Sequence, residues 1–274
     1  MDLKRIKIVL VEPAGALNVG SIARVMKNMG LSNLVLVNPQ CDRHSDDARK
    51  MAVHAVDILE NAAIAESLPD ALAGCQLAIA TTARSRSLAT QFESPRQGLK
   101  WLLNPDLTSA LIFGPEDRGL SNNELKYAQK FICIDSNPDY PSLNLAQAVA
   151  VCAYELYQAN LNSTIDNSET CANLQKRESS NSGGQSGFES SLNSPPLNSA
   201  LVNNAPLEVL EAYYQHLETV LLDIGYLYPH TARARMDKFR RIYNRANLSS
   251  DEVAMLRGIL RQIQWSNKRI EDKG

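Results

Sequence analysis

Residues 111–151 contain two consecutive units in which an apolar run is followed by a polar loop and then by a helix signal. The first apolar run, 111–113, stops at Gly114, which is how a buried strand ends in a loop. The second run, 131–134, precedes a loop with two prolines that leads into a long apolar helix. In open α/β sheets, ligands bind beyond the carboxyl ends of the strands. The stretch therefore predicts a ligand site where two neighbouring strands end.

Strand and helix signals alternate along the first 161 residues of the chain. Five apolar runs predict strands, at residues 6–12, 34–37, 77–81, 111–113 and 131–134. Helices are predicted near residues 19–29, 69–73 and 94–103, and after a capping box formed by Ser121 and Glu124. Because the strands are nearly continuous apolar runs, the pattern predicts an α/β domain (1–161) with helices on both faces of a parallel sheet.

The rest of the chain divides into two segments of different composition. Residues 162–205 are rich in Ser and Asn and have almost no periodic apolar pattern, which predicts a flexible linker. Residues 206–274 regain helical periodicity and predict a small all-helical domain of three helices. Within it, residues 229–245 contain six Lys or Arg and one Asp, a local charge of +5. Such a basic helix either is simply solvated or binds RNA.

The composition is that of an ordinary globular protein, with 44% hydrophobic and 21% charged residues and a net charge of −2 in 274 residues. That charge argues against a chain that is basic throughout, but allows a local basic patch. Five cysteines and four histidines show no metal-ligand spacing, so we predict reduced thiols and no metal site. We find no leader and no apolar run of about 18 residues, and expect a cytoplasmic protein without a membrane anchor.

Three short motifs follow one another along the chain: NVGSIAR at 18–24, FGPEDRGL at 113–120 and SLNLAQAVAV at 142–151. They resemble the three signature motifs of the SPOUT superfamily of RNA 2′-O-methyltransferases. Within it, the chain is most similar to bacterial enzymes that methylate cytidine or uridine in tRNA, over nearly everything except residues 162–205. The dinucleotide motif G-x-G-x-x-G does not follow the first strand, and no G-x-x-x-x-G-K-[ST] motif is found in the sequence.

The resemblance implies one fold feature and one cofactor that periodicity does not predict. In this superfamily, the C-terminal part of the sheet forms a deep trefoil knot whose loops hold S-adenosylmethionine. Matched by position, those loops supply the expected cofactor-binding residues Thr81, Thr82, Ala83, Gly114, Ile134, Ser142, Leu143 and Asn144. Gly114 would let the backbone approach the ligand closely, and Ile134 and Leu143 would offer apolar walls for adenine.

The same motifs imply a catalytic set, Arg24, Asn18, Glu116, Ser142 and Asn144. We expect Arg24 to anchor the target phosphate and stabilise the developing 2′-alkoxide, since a guanidinium stays protonated in proteins. Glu116 is expected to orient Arg24 or to contact the target nucleotide. Ser142 and Asn144 stand at the start of a helix, so a capping role for one of them is an equal expectation.

The resemblance also implies partners. Arg84 and Arg86 could hold RNA phosphates, and the basic residues of the C-terminal domain are expected to bind tRNA: Arg233, Arg235, Lys238, Arg240, Arg241 and Arg245. Knotted relatives build each site at a dimer interface, so a homodimer is expected. The leading hypothesis is S-adenosylmethionine-dependent 2′-O-methylation of a pyrimidine nucleotide in the tRNA anticodon loop. Two alternatives remain open: a ribosomal RNA 2′-O-methyltransferase, and a non-catalytic RNA-binding protein with the same fold.

Overall fold

A computed structural model of the chain describes residues 3–82, 92–178 and 204–271. Within these ranges, a parallel sheet covered by helices is followed by three further helices, as the sequence predicts. No helix among these residues is both long and apolar enough to span a bilayer. The trefoil knot stays a prediction of the family resemblance.

One sheet contains the six strands of the described residues: β1 (Ile6–Val11), β2 (Asn33–Val37), β3 (Ala63–Ala65), β4 (Leu77–Thr81), β5 (Ser109–Phe113) and β6 (Lys130–Ile132). Their order across the sheet is β3-β2-β1-β5-β4-β6, and neighbouring strands are parallel. All five predicted strands are confirmed, with ends that differ by at most two residues. The sequence does not predict β3, because this edge strand has only three residues and they are largely exposed.

The helices of the first domain are α1 (Ala16–Asn28), α2 (Asp46–Ala52), α3 (Val56–Glu60), α4 (Leu68–Ala71), α5 (Pro95–Gly98), α6 (Asn122–Leu125) and α7 (Leu145–Glu178). They cover both faces of the sheet. Along β1, Ile8 and Leu10 pack into a core with α1, α2, α3 and α7, whereas Val9 and Val11 pack into a second core with α4 and α6. This alternation is what a parallel strand buried on both faces requires.

Helices α1 and α2 pack so closely that residue 20 has no room for a side chain. A Cβ atom on Gly20 would lie 2.2 Å from the carbonyl oxygen of Ala48. Ser45 caps the start of α2, since its hydroxyl accepts a hydrogen bond from the N–H of Ala48 at 3.3 Å. The sequence pattern predicts only a weakly helical segment around Ala52, because only Ala48 and Ala52 of the seven residues of α2 are buried.

Helix α7 continues to Glu178, beyond the predicted end of the first domain at residue 161. Its early turns are held by buried Cys152 and Leu156. Extending an existing helix costs less than nucleating one, so residues with weak helix preference can follow this buried segment. Residues 162–178 are therefore helical where the composition predicts a flexible linker, and most of the remaining linker lies outside the described residues. The domain bounds themselves stay a prediction.

The three predicted C-terminal helices are α8 (Leu207–Asp223), α9 (Pro229–Ala246) and α10 (Ser250–Glu271). They share a core that includes Tyr213, Tyr214, Val220, Met236 and Val253. Aromatic rings from α8 and α9 meet in this core, with the ring centroids of Tyr213 and Tyr243 5.3 Å apart. We refer to these three helices as the C-terminal bundle.

The start of α8 is bonded both to the bundle and to the first domain. The N–H of Ala205 donates to the carbonyl of Leu248 at 2.8 Å, just before α10. The N–H of Leu207 donates to the carbonyl of Cys75 at 2.8 Å, and Glu208 accepts from the N–H of Gly74 at 3.1 Å. The bundle therefore lies against the loop that precedes β4.

A pair of glycine substitutions tests the packing of α1 on α2. We expect Gly20→Ala to lower the free energy of unfolding by about 1–3 kcal/mol, because its Cβ overpacks the backbone of α2. Gly258→Ala is the control, since an exposed helix position with open space should gain roughly 0.5–1 kcal/mol from alanine. Urea unfolding followed by circular dichroism measures both. An unchanged stability of Gly20→Ala would contradict the close approach.

Candidate functional site

The loops after β4, β5 and β6 enclose a cleft at the carboxyl ends of these strands. This is the position at which the sequence predicts a ligand site. Six of the eight expected cofactor-binding residues line the cleft: Thr81, Thr82, Gly114, Ile134, Ser142 and Leu143. Asn144 stands next to the lining, at the start of α7. Ala83 lies outside the described residues, as do Arg84 and Arg86.

The loop after β5 folds back onto itself at Gly114. A Cβ atom there would lie 2.3 Å from the backbone nitrogen of Leu120 and 2.4 Å from the carbonyl carbon of Gly119. Gly119 has a φ of +65°, a conformation that side chains disfavour, and its N–H donates to the carbonyl of Pro115 at 2.9 Å. Glycine at position 114 is thus required by contacts inside the loop, whatever the ligand.

Arg118, to which the sequence assigns no role, fastens this loop to its surroundings. Its guanidinium donates to Glu12 at the end of β1 at 2.6 Å, and to Glu124 of α6 at 3.0 and 3.1 Å. The hydrogen bonds to Glu124 and Glu12 raise the pKa of Arg118 above its already high usual value. Glu124 also completes the predicted capping box with Ser121. Nothing in the sequence could link Glu12 to Arg118, because they lie 106 residues apart.

Hydrogen bonds join one residue from each of the three motifs. Glu116 Oε1 accepts from Asn18 Nδ2 at 2.8 Å, and Asn18 Oδ1 accepts from Asn144 Nδ2 at 3.0 Å. Asn144 Oδ1 in turn accepts from the backbone N–H groups of Ala146 and Gln147, at 2.9 and 3.4 Å. We call the three side chains Glu116, Asn18 and Asn144 the polar bridge.

The groups at the two ends of the polar bridge fix the orientation of each side-chain amide in it. An ionised carboxylate only accepts hydrogen bonds, so Asn18 must direct its NH2 group at Glu116 and its oxygen at Asn144. At the other end, the free N–H groups of the first turn of α7 require the oxygen of Asn144. Every donor therefore points towards Glu116, and hydrogen bonds aligned in this way strengthen one another.

Opposing effects act on the carboxyl group of Glu116. Partial burial works to raise its pKa, but the hydrogen bonds from Asn18 and from the N–H groups of Ala14 and Gly15 outweigh burial and lower the pKa. The two backbone bonds measure 3.1 and 3.2 Å. Glu116 is therefore ionised at neutral pH, and its low pKa makes it a weak base.

Arg24 stands apart from the polar bridge. Its side chain is exposed on α1 and makes no hydrogen bond or ion pair with any residue in the described ranges. The expectation that Glu116 orients Arg24 is therefore not met within a single chain, because Asn18, Ala14 and Gly15 take up its oxygens. Arg24 is left free to contact a group outside the chain.

The cap of α7 is Asn144, since its Oδ1 accepts from the N–H groups of the first turn. Ser142 is exposed in the wall of the cleft. The hydroxyl of Thr81 donates to the carbonyl of Ile112 at 3.0 Å, and the N–H of Thr82 donates to the carbonyl of Ile132 at 3.0 Å. In the described part of the chain, no three His, Cys, Asp or Glu side chains are grouped so as to hold a metal ion.

Arg240 corrects one expectation about the basic helix α9. It is only 9% exposed, and its guanidinium donates two hydrogen bonds to Glu211, at 2.6 and 2.7 Å. The same group lies 4.4 Å from the ring centroid of Tyr214. Arg240 therefore serves the core of the C-terminal bundle and is not available to RNA. A count of basic residues cannot reveal this, since Glu211 lies on another helix.

The other basic residues of α9 reach the surface. Arg233, Arg235, Lys238 and Arg245 are exposed, and Arg241 is half-buried with its Nε donating to the carbonyl of Asp237. Arg233 also donates to Asn123 Oδ1 of α6, so α9 lies close to the first domain near its own beginning. The predicted basic face therefore loses Arg240, keeps four exposed cations and includes the half-buried Arg241.

A pH titration of stability tests the state of Glu116. Because its folded pKa is lowered, Glu116 should stabilise the fold at neutral pH, and this contribution should be lost as pH falls through that pKa. The difference in unfolding free energy between the wild type and Glu116→Gln should therefore shrink in acid. Asp117→Asn is the matched control, because Asp117 has no hydrogen bond to a described residue. A difference that does not change with pH would count against the assignment.

Two family models match the chain, and each covers one of its two folded parts. The model of the SpoU rRNA Methylase family matches residues 5–154, which contain the three motifs and the polar bridge. The model of the tRNA methyltransferase TrmJ C-terminal domain matches residues 208–273, which contain the C-terminal bundle.

Similar proteins extend over almost the whole chain. Two proteins named tRNA (cytidine/uridine-2′-O-)-methyltransferase TrmJ, from Citrobacter koseri and Salmonella typhimurium, are 41% and 40% identical over 268 residues, 97% of this chain and 99% of each relative. The crystal structure of TrmJ from Z. mobilis superposes with a TM-score of 0.73 at 28% identity, covering 94% of this chain and 98% of that one. A probable methylase family protein from Haemophilus influenzae gives 0.59 at 30% identity, covering 98% of both chains. The chain therefore belongs to the SpoU methylase family and, within it, to the TrmJ methyltransferases.

Proposed function

We propose that this chain transfers a methyl group from S-adenosylmethionine to the ribose 2′-hydroxyl of a cytidine or uridine in the anticodon loop of tRNA. The polar bridge is the observation that carries the proposal, because it joins one residue of each motif through Glu116, which lines the cleft. The names of the relatives support tRNA, cytidine and uridine as the substrate. The anticodon loop is supported by the resemblance of the motifs alone.

The walls of the cleft fit S-adenosylmethionine by their chemistry. Apolar side chains of Leu120, Ile134 and Leu143 can contact the adenine, and the carboxylates of Glu116 and Asp117 favour a cation nearby. Bound there, the cofactor supplies a methyl group carried on a positively charged sulfur. The loop that begins at Gly114 is already fixed by its own backbone contacts, so little ordering has to accompany binding.

The chain's own contribution to the reaction is positioning and charge. The 2′-oxygen has to meet the methyl carbon in line, and its proton has to leave. Arg24 is exposed and free of partners among the described residues, so it can bind the phosphate of the target nucleotide and stabilise negative charge on the oxygen. A protonated guanidinium is not a base, and the low pKa of Glu116 makes that residue a weak one.

Two observations weigh against the alternative functions. A ribosomal RNA substrate is less favoured, because residues 208–273 match the C-terminal domain of a tRNA methyltransferase. A binding protein without catalysis is less favoured, because the polar bridge is complete and Arg24 is exposed. Charges at Lys238 and Arg245 support tRNA backbone binding by the bundle.

The proposal includes a homodimer in which Arg24 of one subunit serves the cleft of the other. Its support is three exposed apolar side chains, Leu17 on α1 and Val151 and Tyr154 on α7, on two helices that pack together. Exposed apolar side chains on neighbouring helices are typical of a subunit contact. A cytoplasmic location is also proposed, on the ground that the substrate is tRNA.

Methylation of a tRNA transcript tests the function. We expect the purified chain to methylate ribose in the transcript, and Arg24→Ala to reduce the rate by about 100-fold or more through loss of charge stabilisation. Cofactor binding, measured by calorimetry, should survive in Arg24→Ala, because Arg24 does not line the cleft. Lys50→Ala, which removes an exposed cation of the same domain, should leave the rate unchanged. Methylation of a base, or none at all, would overturn the proposal.

Mixed subunits test the shared site. Gly114→Ala should disable a cleft, because its Cβ would collide with the backbone of Leu120. A heterodimer of Arg24→Ala and Gly114→Ala chains retains one intact cleft served by one intact Arg24, so we expect part of the activity to return. Mixing Arg24→Ala with a chain that carries both changes provides the control, since no Arg24 is left. If heterodimers form and activity stays absent, each subunit works alone.

A further inference from the structure

Two tyrosines in the connection between α8 and α9 are turned out to solvent. Tyr226 is 52% exposed and Tyr228 is 55% exposed, whereas Leu227 between them is buried in the core of the C-terminal bundle. The alternation is imposed by the backbone, since Gly225 has a φ of +72° and the N–H of Leu227 donates to the carbonyl of Leu221 at 2.8 Å. The inward residue anchors the segment, and the outward ones present aromatic rings.

Neighbouring side chains support both rings from the bundle side. Arg235 donates to the carbonyl of Tyr226 at 2.8 Å, and its guanidinium lies 5.5 Å from the centroid of that ring. Phe239 supports the same ring at 6.4 Å. The ring of Tyr228 stacks with that of His230, with centroids 6.0 Å apart and an interplanar angle of 23°. We call Tyr226, Tyr228 and His230 the aromatic platform.

The charge around the aromatic platform decides which kind of partner it fits. The platform lies at the start of α9, the helix that contains residues 229–245 with their charge of +5. The exposed side chains of Arg233, Arg235 and Lys238 follow within ten residues. Aromatic faces combined with several cations are the elements that bind unpaired nucleotides, because bases stack on the rings while phosphates meet the cations. An apolar protein partner would find the surrounding cations unfavourable, since they would lose hydration on contact.

The aromatic platform also lies on the side of the molecule that the candidate site faces. Arg233, one turn into α9, donates to Asn123 on α6 of the first domain. The two parts enclose a cleft of about 730 Å³, lined by Val11 and Val37 at the carboxyl ends of β1 and β2. The first turns of α9 thus face the same end of the sheet as the candidate site. RNA held at the platform could reach that site without passing around the domain.

We propose that Tyr226 and Tyr228 stack on unpaired bases of the RNA substrate, so that the C-terminal bundle recognises single-stranded segments as well as backbone charge. The inference rests on the proposed function, because it assumes that the substrate is RNA. It adds a contact that charge alone does not provide. Stacking requires a base free of its helical neighbours, so the platform selects loops or ends of the RNA over its duplex parts.

Binding measurements on the full chain test the proposal. We expect Tyr226→Leu with Tyr228→Leu to raise the Kd for a tRNA transcript by about 10-fold or more, since each stacked base contributes appreciably to affinity. The slope of log Kd against log salt concentration should stay unchanged, because no phosphate contact is lost. Tyr226→Phe with Tyr228→Phe should keep the wild-type Kd, since phenylalanine retains the ring. Leucine at position 226 would keep an apolar contact with Phe239, so the double variant should stay folded. If it unfolds, the same binding measurement is made with Tyr228→Leu alone.

A second set of ligands identifies what the platform binds. A short unstructured oligoribonucleotide should lose affinity for the leucine variant, whereas a blunt RNA duplex of equal length should bind both proteins alike. Lys238→Ala with Arg245→Ala should instead weaken both ligands and lower the salt slope by about two. If the charge variants weaken RNA binding but the leucine variant binds as the wild type does, base stacking on the platform is refuted and the proposed function stands. If neither set of variants alters tRNA binding, both the platform and tRNA binding by the bundle are wrong.

Discussion

The hydrogen bonds of Asn18 are the constraint on which the rest of the candidate site depends. A primary amide both donates and accepts, so this one side chain can join the carboxylate of Glu116 to the amide of Asn144. Aspartate at position 18 would lose the donor and bring a second negative charge against Glu116. Leucine would remove both hydrogen bonds, and glutamine would place the amide one carbon too far along. The loop after β5 and the start of α7 are thus positioned by the same side chain on α1.

Local patterns in the sequence predicted the strands and the caps, because these features depend on neighbours in the chain. Ser121 and Glu124 form the predicted capping box, and Asn144 caps α7. The contacts of Arg118 could not be predicted in the same way, because Glu12 precedes it by 106 residues. The edge strand β3 was too short to give a pattern. Six of the expected cofactor residues line the cleft because a strand's end locates the loop that follows it.

Charge counted along a helix and charge offered to a partner are different quantities. Residues 229–245 carry a formal charge of +5, yet Arg240 forms an ion pair with Glu211 inside the bundle. Removing one member of such a largely buried pair destabilises a protein by about 3–5 kcal/mol. A loss of RNA binding after Arg240→Ala would therefore report on folding of the bundle. Exposed Lys238 and Arg245 are the positions at which charge can be varied with less effect on the fold.

The strand order β3-β2-β1-β5-β4-β6 has a consequence for how the protein is made. Strands β1, β2 and β3 can pair while residues 6–65 leave the ribosome, but β4 finds its neighbours only after β5 and β6 have been synthesised. Until β5 has been synthesised, β1 keeps an open edge of unpaired backbone groups, which is a template for aggregation. Asn18 can bond to Asn144 only after β6 as well, since Asn144 follows Asn18 by 126 residues. Contacts of such long sequence separation form slowly, so the half of the sheet that carries the site is the last to be completed during synthesis.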